Sequence, residues 1–176
     1  MDSHVVVRQL TVAPNTASGA IEARLSDHPA LLSLYRLWEG KRDGRSLPAR
    51  EDFDALELTP WWGNLNMVEV EPGSGRFRYR IFGSRIAAHC GYDLTGRYVD
   101  QIASRIVAEE IIKTYRAVAL TAEPLFWEHG ANEHGAPGFT RRRLLLPLGR
   151  DDAVTTIMVG GYPVGATDPR YRTDHR

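Results

Sequence analysis

His89 and Cys90 are adjacent residues whose types could support chemistry. A cysteine beside a histidine can act as an activated nucleophile, and both residue types bind transition metals. Side chains that are neighbours in sequence point in different directions, however, and no C-x-x-C or H-x-x-x-H spacing supplies further ligands. Cys90 is the only cysteine, which excludes an intramolecular disulfide. We interpret it as a small buried side chain, and we predict neither a catalytic residue nor a metal ligand here.

A second group with chemical potential lies between residues 128 and 134. His129 and His134 stand beside Glu128 and Glu133, and such groups can act as general acids and bases or bind a metal. Their order does not fit the H-E-x-x-H spacing that places two imidazoles on one face of a helix. A polar, glycine-rich loop is the simpler interpretation. A small-molecule enzyme that uses this His/Glu site is the alternative hypothesis.

Arginine is concentrated in two short segments that could bind an anion. Arginines alternate with other residues between positions 76 and 80, and three follow one another at 141–143. On strands these side chains would either form a basic face or pair with Glu69 and Glu71 across the sheet, and we favour the pairing. The chain carries 22 basic and 22 acidic residues, so its formal net charge is zero. This balance disfavours nucleic acid and anionic membranes as partners.

The elements that would position these residues are clearest between residues 76 and 97. Phe77, Tyr79 and Ile81 alternate with arginines, and this period of two predicts a strand with one apolar face. A glycine ends the strand and a short apolar helix follows. Gly91 then stands where a short helix needs a left-handed residue at its C-terminus. A strand, a glycine, a short helix and a turn therefore follow one another within one compact stretch.

This order of elements resembles the middle of a PAS domain. The segment from Gly83 to Arg97, GSRIAAHCGYDLTGR, is similar to the part of that superfamily in which a strand leads through small helices to Gly-Tyr and Leu-x-Gly-Arg turns. A longer helix and three strands follow in the family. Matching segments are predicted here at 105–120, 124–128, 140–148 and 154–163.

With the segments at 38–50 and 68–72, the chain resembles a stand-alone, single-domain bacterial PAS subfamily, and the resemblance covers residues 31–162. It implies an α+β fold with a five-stranded antiparallel sheet, helices on one face and an N-terminal helix placed elsewhere. Residues 1–26 are expected to be a flexible segment, 27–163 a single PAS-like domain, and 164–176 a flexible tail.

The resemblance also implies a ligand pocket between the sheet and the helices. The inferred facing of the side chains gives six candidates for its lining: Phe82, Ile86, His89, Tyr115, Trp127 and Met158. The cofactor stays unknown. Flavin-adduct chemistry is not supported, because light sensors of the superfamily carry a reactive cysteine just after the Gly-Arg turn and none follows Arg97 here. Haem is disfavoured, because the longer helix that usually supplies its ligand contains no histidine.

A helix at residues 29–42 is predicted to precede the core, with a proline at its first position. Four apolar residues share one stripe of this helix: Leu31, Leu34, Tyr35 and Trp38. The stripe would either pack on the sheet of its own chain or form a homodimer, because PAS domains commonly dimerise through a helix N-terminal to the core. The sequence leaves both possibilities open.

These patterns together predict a non-enzymatic sensory or signalling module. It would bind a small ligand, an unidentified signalling protein, or both, and a pure protein-interaction scaffold with no ligand is a further alternative. No kinase, cyclase or helix-turn-helix signature accompanies the PAS-like segment. The first 20 residues contain neither a basic segment followed by a long apolar run nor a membrane span, so we expect a cytoplasmic protein with no membrane partner.

Overall fold

A computed structural model describes residues 18–131 and 139–164 of the 176-residue chain. In these ranges the elements are α1 (Ser18–Arg24), α2 (Pro29–Arg42), β1 (Leu65–Val70), β2 (Phe77–Ile81), α3 (Ser84–Cys90), α4 (Arg105–Thr121), β3 (Leu125–Ala131), β4 (Phe139–Arg150) and β5 (Ala153–Val164). Short 3₁₀ turns lie at Arg50–Asp52, Thr59–Asn64 and Val99–Gln101. None of the helices in the described part is long and apolar enough to cross a bilayer.

The five strands form one antiparallel sheet in the order β2-β1-β5-β4-β3. β1 and β5 are adjacent although they are far apart in sequence, so the last strand closes the sheet in its centre. Helices cover both faces, with α2 on one side and α3 and α4 on the other. The predicted α+β fold, a five-stranded antiparallel sheet with helices, is confirmed.

The α2 stripe packs on the sheet of its own chain. Leu31, Leu34, Tyr35 and Trp38 are each at most 2% exposed and belong to one apolar cluster with β1, β4 and β5. The Trp38 indole Nε1–H donates a hydrogen bond of 2.8 Å to the carbonyl of Pro147 on β4. The dimerisation interpretation of these four residues is therefore wrong, because their side chains are already buried within the protomer.

Close packing between α2 and β5 depends on a glycine. A Cβ built on Gly160 would lie 2.8 Å from the Cδ2 atoms of both Leu31 and Leu34, well inside the usual carbon–carbon separation of about 3.5–4.0 Å. The next residue, Gly161, belongs to the opposite face of the sheet, where a Cβ would meet Ile86 at an ordinary 3.5 Å. At this point a single strand separates the α2 cluster from the α3 side.

The other face of the sheet packs against α4. This helix begins after Ser104, whose hydroxyl accepts a hydrogen bond from the Val107 N–H and so caps the first turn. Its buried stripe contains Val107, Ile111, Tyr115 and Val118, as the apolar spacing predicts. The stripe meets Val68, Leu145, Ile157 and Val159 from the sheet.

Strand β2 departs from the predicted alternation at its end. Phe77 and Tyr79 face α4, but Ile81 packs on the α2 side. The cause is a bulge, because Met67 pairs with Ile81 whereas the next residue, Val68, pairs with Tyr79. Because Arg80 is the extra residue of the bulge, the side chains that follow it point to the face opposite to the one that simple alternation predicts.

The packed part of the chain begins earlier than residue 27. Within the segment expected to be flexible, α1 spans Ser18–Arg24, and Ile21 and Leu25 are buried in the α2 cluster. The remaining part of that segment and the predicted tail beyond Val164 lie outside the described residues.

Candidate ligand cavity

A cavity lies between the α3–α4 face of the sheet and the helices that cover it. Its lining contains apolar side chains from β5, α3 and α4 and polar groups from all sides: Asn64, Asn66, Tyr79, Phe82, Arg85, Ile86, His89, Cys90, Tyr92, Leu94, Ile102, Val107, Ile111, Tyr115, Arg143, Val159, Gly161, Tyr162 and Pro163. An apolar wall with a few convergent polar groups is the usual make-up of a small-molecule site.

Helix α3 forms one wall and is fixed by glycines at both ends. A Cβ on Gly83 would lie 2.5 Å from the carbonyl oxygen of Gly63, so only glycine allows this approach. The Gly83 N–H donates a 2.8 Å hydrogen bond to the buried Asn66 Oδ1. At the other end Gly91 has φ 79°, the left-handed conformation that the sequence predicts. Between these ends Ile86 is turned toward the cavity.

Two asparagines supply polar groups at the sheet side of the cavity. Asn64 is 2% exposed and its Nδ2 donates a 2.9 Å hydrogen bond to the Gly161 carbonyl. The Asn64 Oδ1 accepts a long contact of 3.4 Å from Arg85. Asn66 is 6% exposed. Buried amides of this kind are retained where their hydrogen bonds are satisfied, and here they join the strand ends to α3.

Two tyrosine hydroxyls meet inside the cavity wall. The hydroxyl oxygens of Tyr79 and Tyr115 are 3.3 Å apart and buried. Burial raises the pKa of Tyr79 well above its ordinary value and also raises the pKa of Tyr115. The positive charge of Arg143 acts in the opposite direction on the pKa of both phenols. Both hydroxyls therefore stay protonated near neutral pH and can donate hydrogen bonds.

The cavity is small. The volume open to the centre of a water molecule is about 50 Å³, whereas cavities that enclose drug-sized ligands are about 300–1,000 Å³. One water molecule needs roughly 10–15 Å³ on this measure, so the space suits a few waters or a compact molecule.

Four of the six predicted lining residues border this cavity, namely Phe82, Ile86, His89 and Tyr115. Met158 does not, because it alternates with the cavity residue Val159 and is buried in the α2 cluster on the other side of the sheet. Trp127 lies opposite Arg143 in the β3–β4 register. Its ring stacks under that guanidinium at 5.2 Å and does not line the cavity. The side chains of the predicted His/Glu site at 128–134 lie outside the described part of the chain.

Some lining residues carry little sequence signal. Arg143 stands in a basic run that suggests a solvated strand, and its inward direction follows only from the β4 register. Asn64 ends a 3₁₀ turn and Asn66 lies on β1. In a sequence, asparagine usually indicates a turn or loop, so nothing in the sequence marks these two side chains as buried. Cys90, interpreted as a small buried residue, is half-buried at the cavity edge.

A family model described as PAS domain matches residues 26–162. This range includes all five strands up to Tyr162, together with α2, α3 and α4. The chain therefore belongs to the PAS domain family, whose members are sensory signalling modules.

Several solved structures are similar to the chain at the level of fold. A light-oxygen-voltage domain described with a flavin analogue is 12% identical, with a TM-score of 0.46, over 62% of this chain and 82% of that chain. The LOV protein of Rhodobacter sphaeroides is 12% identical, with a TM-score of 0.46, over 68% of this chain and 73% of that chain. A domain of an HTR-like protein from Haloarcula marismortui is 11% identical, with a TM-score of 0.41, over 57% of this chain and 98% of that chain. No curated protein matches.

Proposed function

We propose that this PAS domain is a non-enzymatic sensor that binds a small molecule in the cavity between the sheet and helices α3 and α4. The observation that carries the proposal is the cavity itself, in which polar groups of Asn64, Tyr79, Tyr115 and Arg143 converge on an otherwise apolar wall. A site of that composition binds the apolar body of a ligand and orients it through few hydrogen bonds.

Helix α3 is the element best suited to report occupancy. None of its residues is fully buried, although Ile86, His89 and Cys90 border the cavity. An element with few buried contacts opens at a low free-energy cost. A ligand that contacts Ile86 therefore changes the position or the stability of α3, and an unidentified partner protein reads that change at the outer surface of the helix.

The oligomeric state and location complete the proposal. A cytoplasmic homodimer remains our expectation for the signalling form. Because the α2 stripe is buried within the protomer, the dimer uses another surface. A native mass of two chains that persists in the Leu34→Ala variant is the expected observation, and a monomer at physiological concentration would contradict it.

The test of ligand binding compares three proteins purified from the native host: wild type, Gly161→Ala and Gly161→Val. A Cβ at position 161 makes ordinary contacts, 3.5 Å from Ile86 and 3.9 Å from Arg143. The alanine methyl is therefore tolerated, whereas the two further methyl groups of valine occupy the ligand space. Valine is also favourable on a strand.

Mass spectrometry of material released on denaturation is the readout. We expect one small molecule in stoichiometric amount from wild type and Gly161→Ala and none from Gly161→Val. Release of nothing from all three proteins, together with partner capture that Gly161→Val leaves unchanged, would refute ligand sensing and leave the ligand-free scaffold. The alternative of an enzyme at residues 128–134 would instead require turnover that the Gly161→Val variant retains.

A further inference from the structure

The described lining of the cavity contains two arginines, Arg85 and Arg143, but neither an aspartate nor a glutamate. Most other ionic groups on the described sheet are matched across strands or with nearby loops. Arg78 pairs with Glu69 at 2.8 Å, for example, and Arg150 pairs with Glu51 at 3.3 Å. Arg143 differs from these residues, because no ion pair joins it to a carboxylate in the described part of the chain.

Arg143 is the more buried of the two arginines in the cavity lining. It is half-buried on β4, opposite Gly161 in the register, and its guanidinium lies 5.2 Å from the centre of the Trp127 ring. Among the described residues no carboxylate lies within ion-pair distance of it. Tyr79 and Tyr115 line the same cavity as Arg143, and the positive charge of Arg143 lowers the pKa of both phenols against the effect of burial.

A guanidinium that is withdrawn from water without a counter-ion is costly, and arginine is never neutralised by losing its proton. A carboxylate removes this cost most effectively, because its two oxygens match the planar guanidinium fork. From this geometry we propose that the ligand of the cavity is a small monocarboxylate whose carboxylate is bound by Arg143 and whose apolar body contacts Ile86, Ile111 and Val159. This inference rests on the proposed function and specifies its ligand.

The size and the polarity of the cavity favour this class over other anions. A volume of about 50 Å³ admits only a compact molecule. Inorganic phosphate would expose its charge to the apolar side chains of Ile111 and Val159, which offer no hydrogen-bond donor. A short-chain carboxylate instead places its anion at Arg143 and the Tyr79–Tyr115 hydroxyl pair and its methylenes on the apolar wall. Arg85, which is exposed at the cavity edge, adds positive potential that attracts anions.

The test measures the binding of sodium butyrate, the neutral isostere butyramide and inorganic phosphate to the full chain by calorimetry and ¹H–¹⁵N NMR. It uses wild type, Arg143→Met, Arg143→Lys and, as a matched control on the same strand, Arg150→Met. Arg150 is 72% exposed and lies outside the cavity lining. Methionine keeps the length and the apolar character of the arginine stem, and lysine keeps the charge but not the bidentate fork.

We expect wild type to bind butyrate roughly 10- to 100-fold more tightly than butyramide, the range that a charge-assisted hydrogen bond supplies. Arg143→Met should remove this preference, Arg143→Lys should restore part of it, and Arg150→Met should keep it. NMR shifts should fall on α3, β4 and β5. Equal binding of butyrate and butyramide, tighter binding of phosphate, or an unchanged preference in Arg143→Met would overturn the carboxylate assignment and leave the ligand-binding function intact.

If neither butyrate nor butyramide binds, the carboxylate assignment is tested with the molecule that is released from protein purified from the native host. A released carboxylic acid whose affinity falls in Arg143→Met supports the assignment with a different acid. A released neutral molecule overturns the assignment alone. Release of no molecule overturns both the assignment and the proposed ligand sensing.

Discussion

The adjacent glycines of β5 provide a sharp test of how the two cores are separated. Gly160→Ala would place a methyl group 2.8 Å from Cδ2 of Leu31 and of Leu34, both fully buried, whereas Gly161→Ala meets nothing closer than 3.5 Å. Over-packing of a close-packed core costs about 1–3 kcal/mol. Replacing glycine by alanine where the backbone tolerates it contributes about 0.4–1 kcal/mol through the unfolded state.

The two substitutions should therefore change the free energy of unfolding in opposite directions. Gly160→Ala should lower the free energy of unfolding by about 1–2 kcal/mol, the clash being partly offset by the unfolded-state gain. Gly161→Ala should raise it by about 0.4–1 kcal/mol. A gap of roughly 2 kcal/mol corresponds to a difference in Tm of about 4–8 °C for a domain of this size.

Equilibrium urea unfolding followed by tryptophan fluorescence measures both values, and an unchanged m-value shows that the same surface unfolds. Shortening the opposing side chain supplies an internal check, because Leu31→Ala combined with Gly160→Ala should cost less than the sum of the single changes. If Gly160→Ala proved as stable as Gly161→Ala, α2 would not be pressed against β5, and the two-core description of the sheet would be incorrect.

Three further predictions test other contacts. Trp38→Phe leaves the Pro147 carbonyl without its 2.8 Å indole donor and should cost about 1–3 kcal/mol of unfolding free energy in urea, whereas Trp62→Phe, at a ring that is 50% exposed, should change it by less than about 0.5 kcal/mol. Burial raises the pKa of Tyr162 from 10.0 to about 12, so folding should lose up to roughly 2–3 kcal/mol as pH rises from 10 to 12. A Tyr162→Phe variant should lose less over this range, and equal losses would contradict the assignment. The Arg76 guanidinium, 2.8 Å away, lowers the pKa of Asp100, so stability should fall as pH drops through that lowered pKa. Asp100→Asn should be the less stable protein at neutral pH, and chemical denaturation should find the two proteins converging in acid.

The fold was predictable because its signals are local. Pro29 predicts the start of α2, the apolar stripe predicts its buried face, and Gly91 predicts the end of α3, and the structure confirms all three. The face of the sheet on which Ile81 lies was not predictable. The bulge at Arg80 arises from pairing with β1, and the sequence of β2 alone does not indicate it.

The cavity was only partly predictable for a related reason. Phe82, Ile86 and His89 lie on or next to the short helix whose place in the family pattern is recognisable. Met158 and Val159 are adjacent apolar residues on a strand buried on both sides, so hydrophobicity alone cannot tell which one faces the cavity. Only the register with β1 and β4 decides, and it places Met158 against α2.

Because helices cover both faces of the sheet, they restrict which amino-acid substitutions β4 and β5 can accept during evolution. Residues 144–149 of β4 and 157–160 of β5 are buried without interruption, so neither stretch has a solvent-facing register in which substitutions accumulate freely. Odd-numbered positions such as Leu145 and Val159 belong to the cavity side, and even-numbered ones such as Leu146 and Met158 to the α2 side. Selection for a new ligand can thus act on one set of alternate positions while the other set preserves the helix contact, within the same two strands.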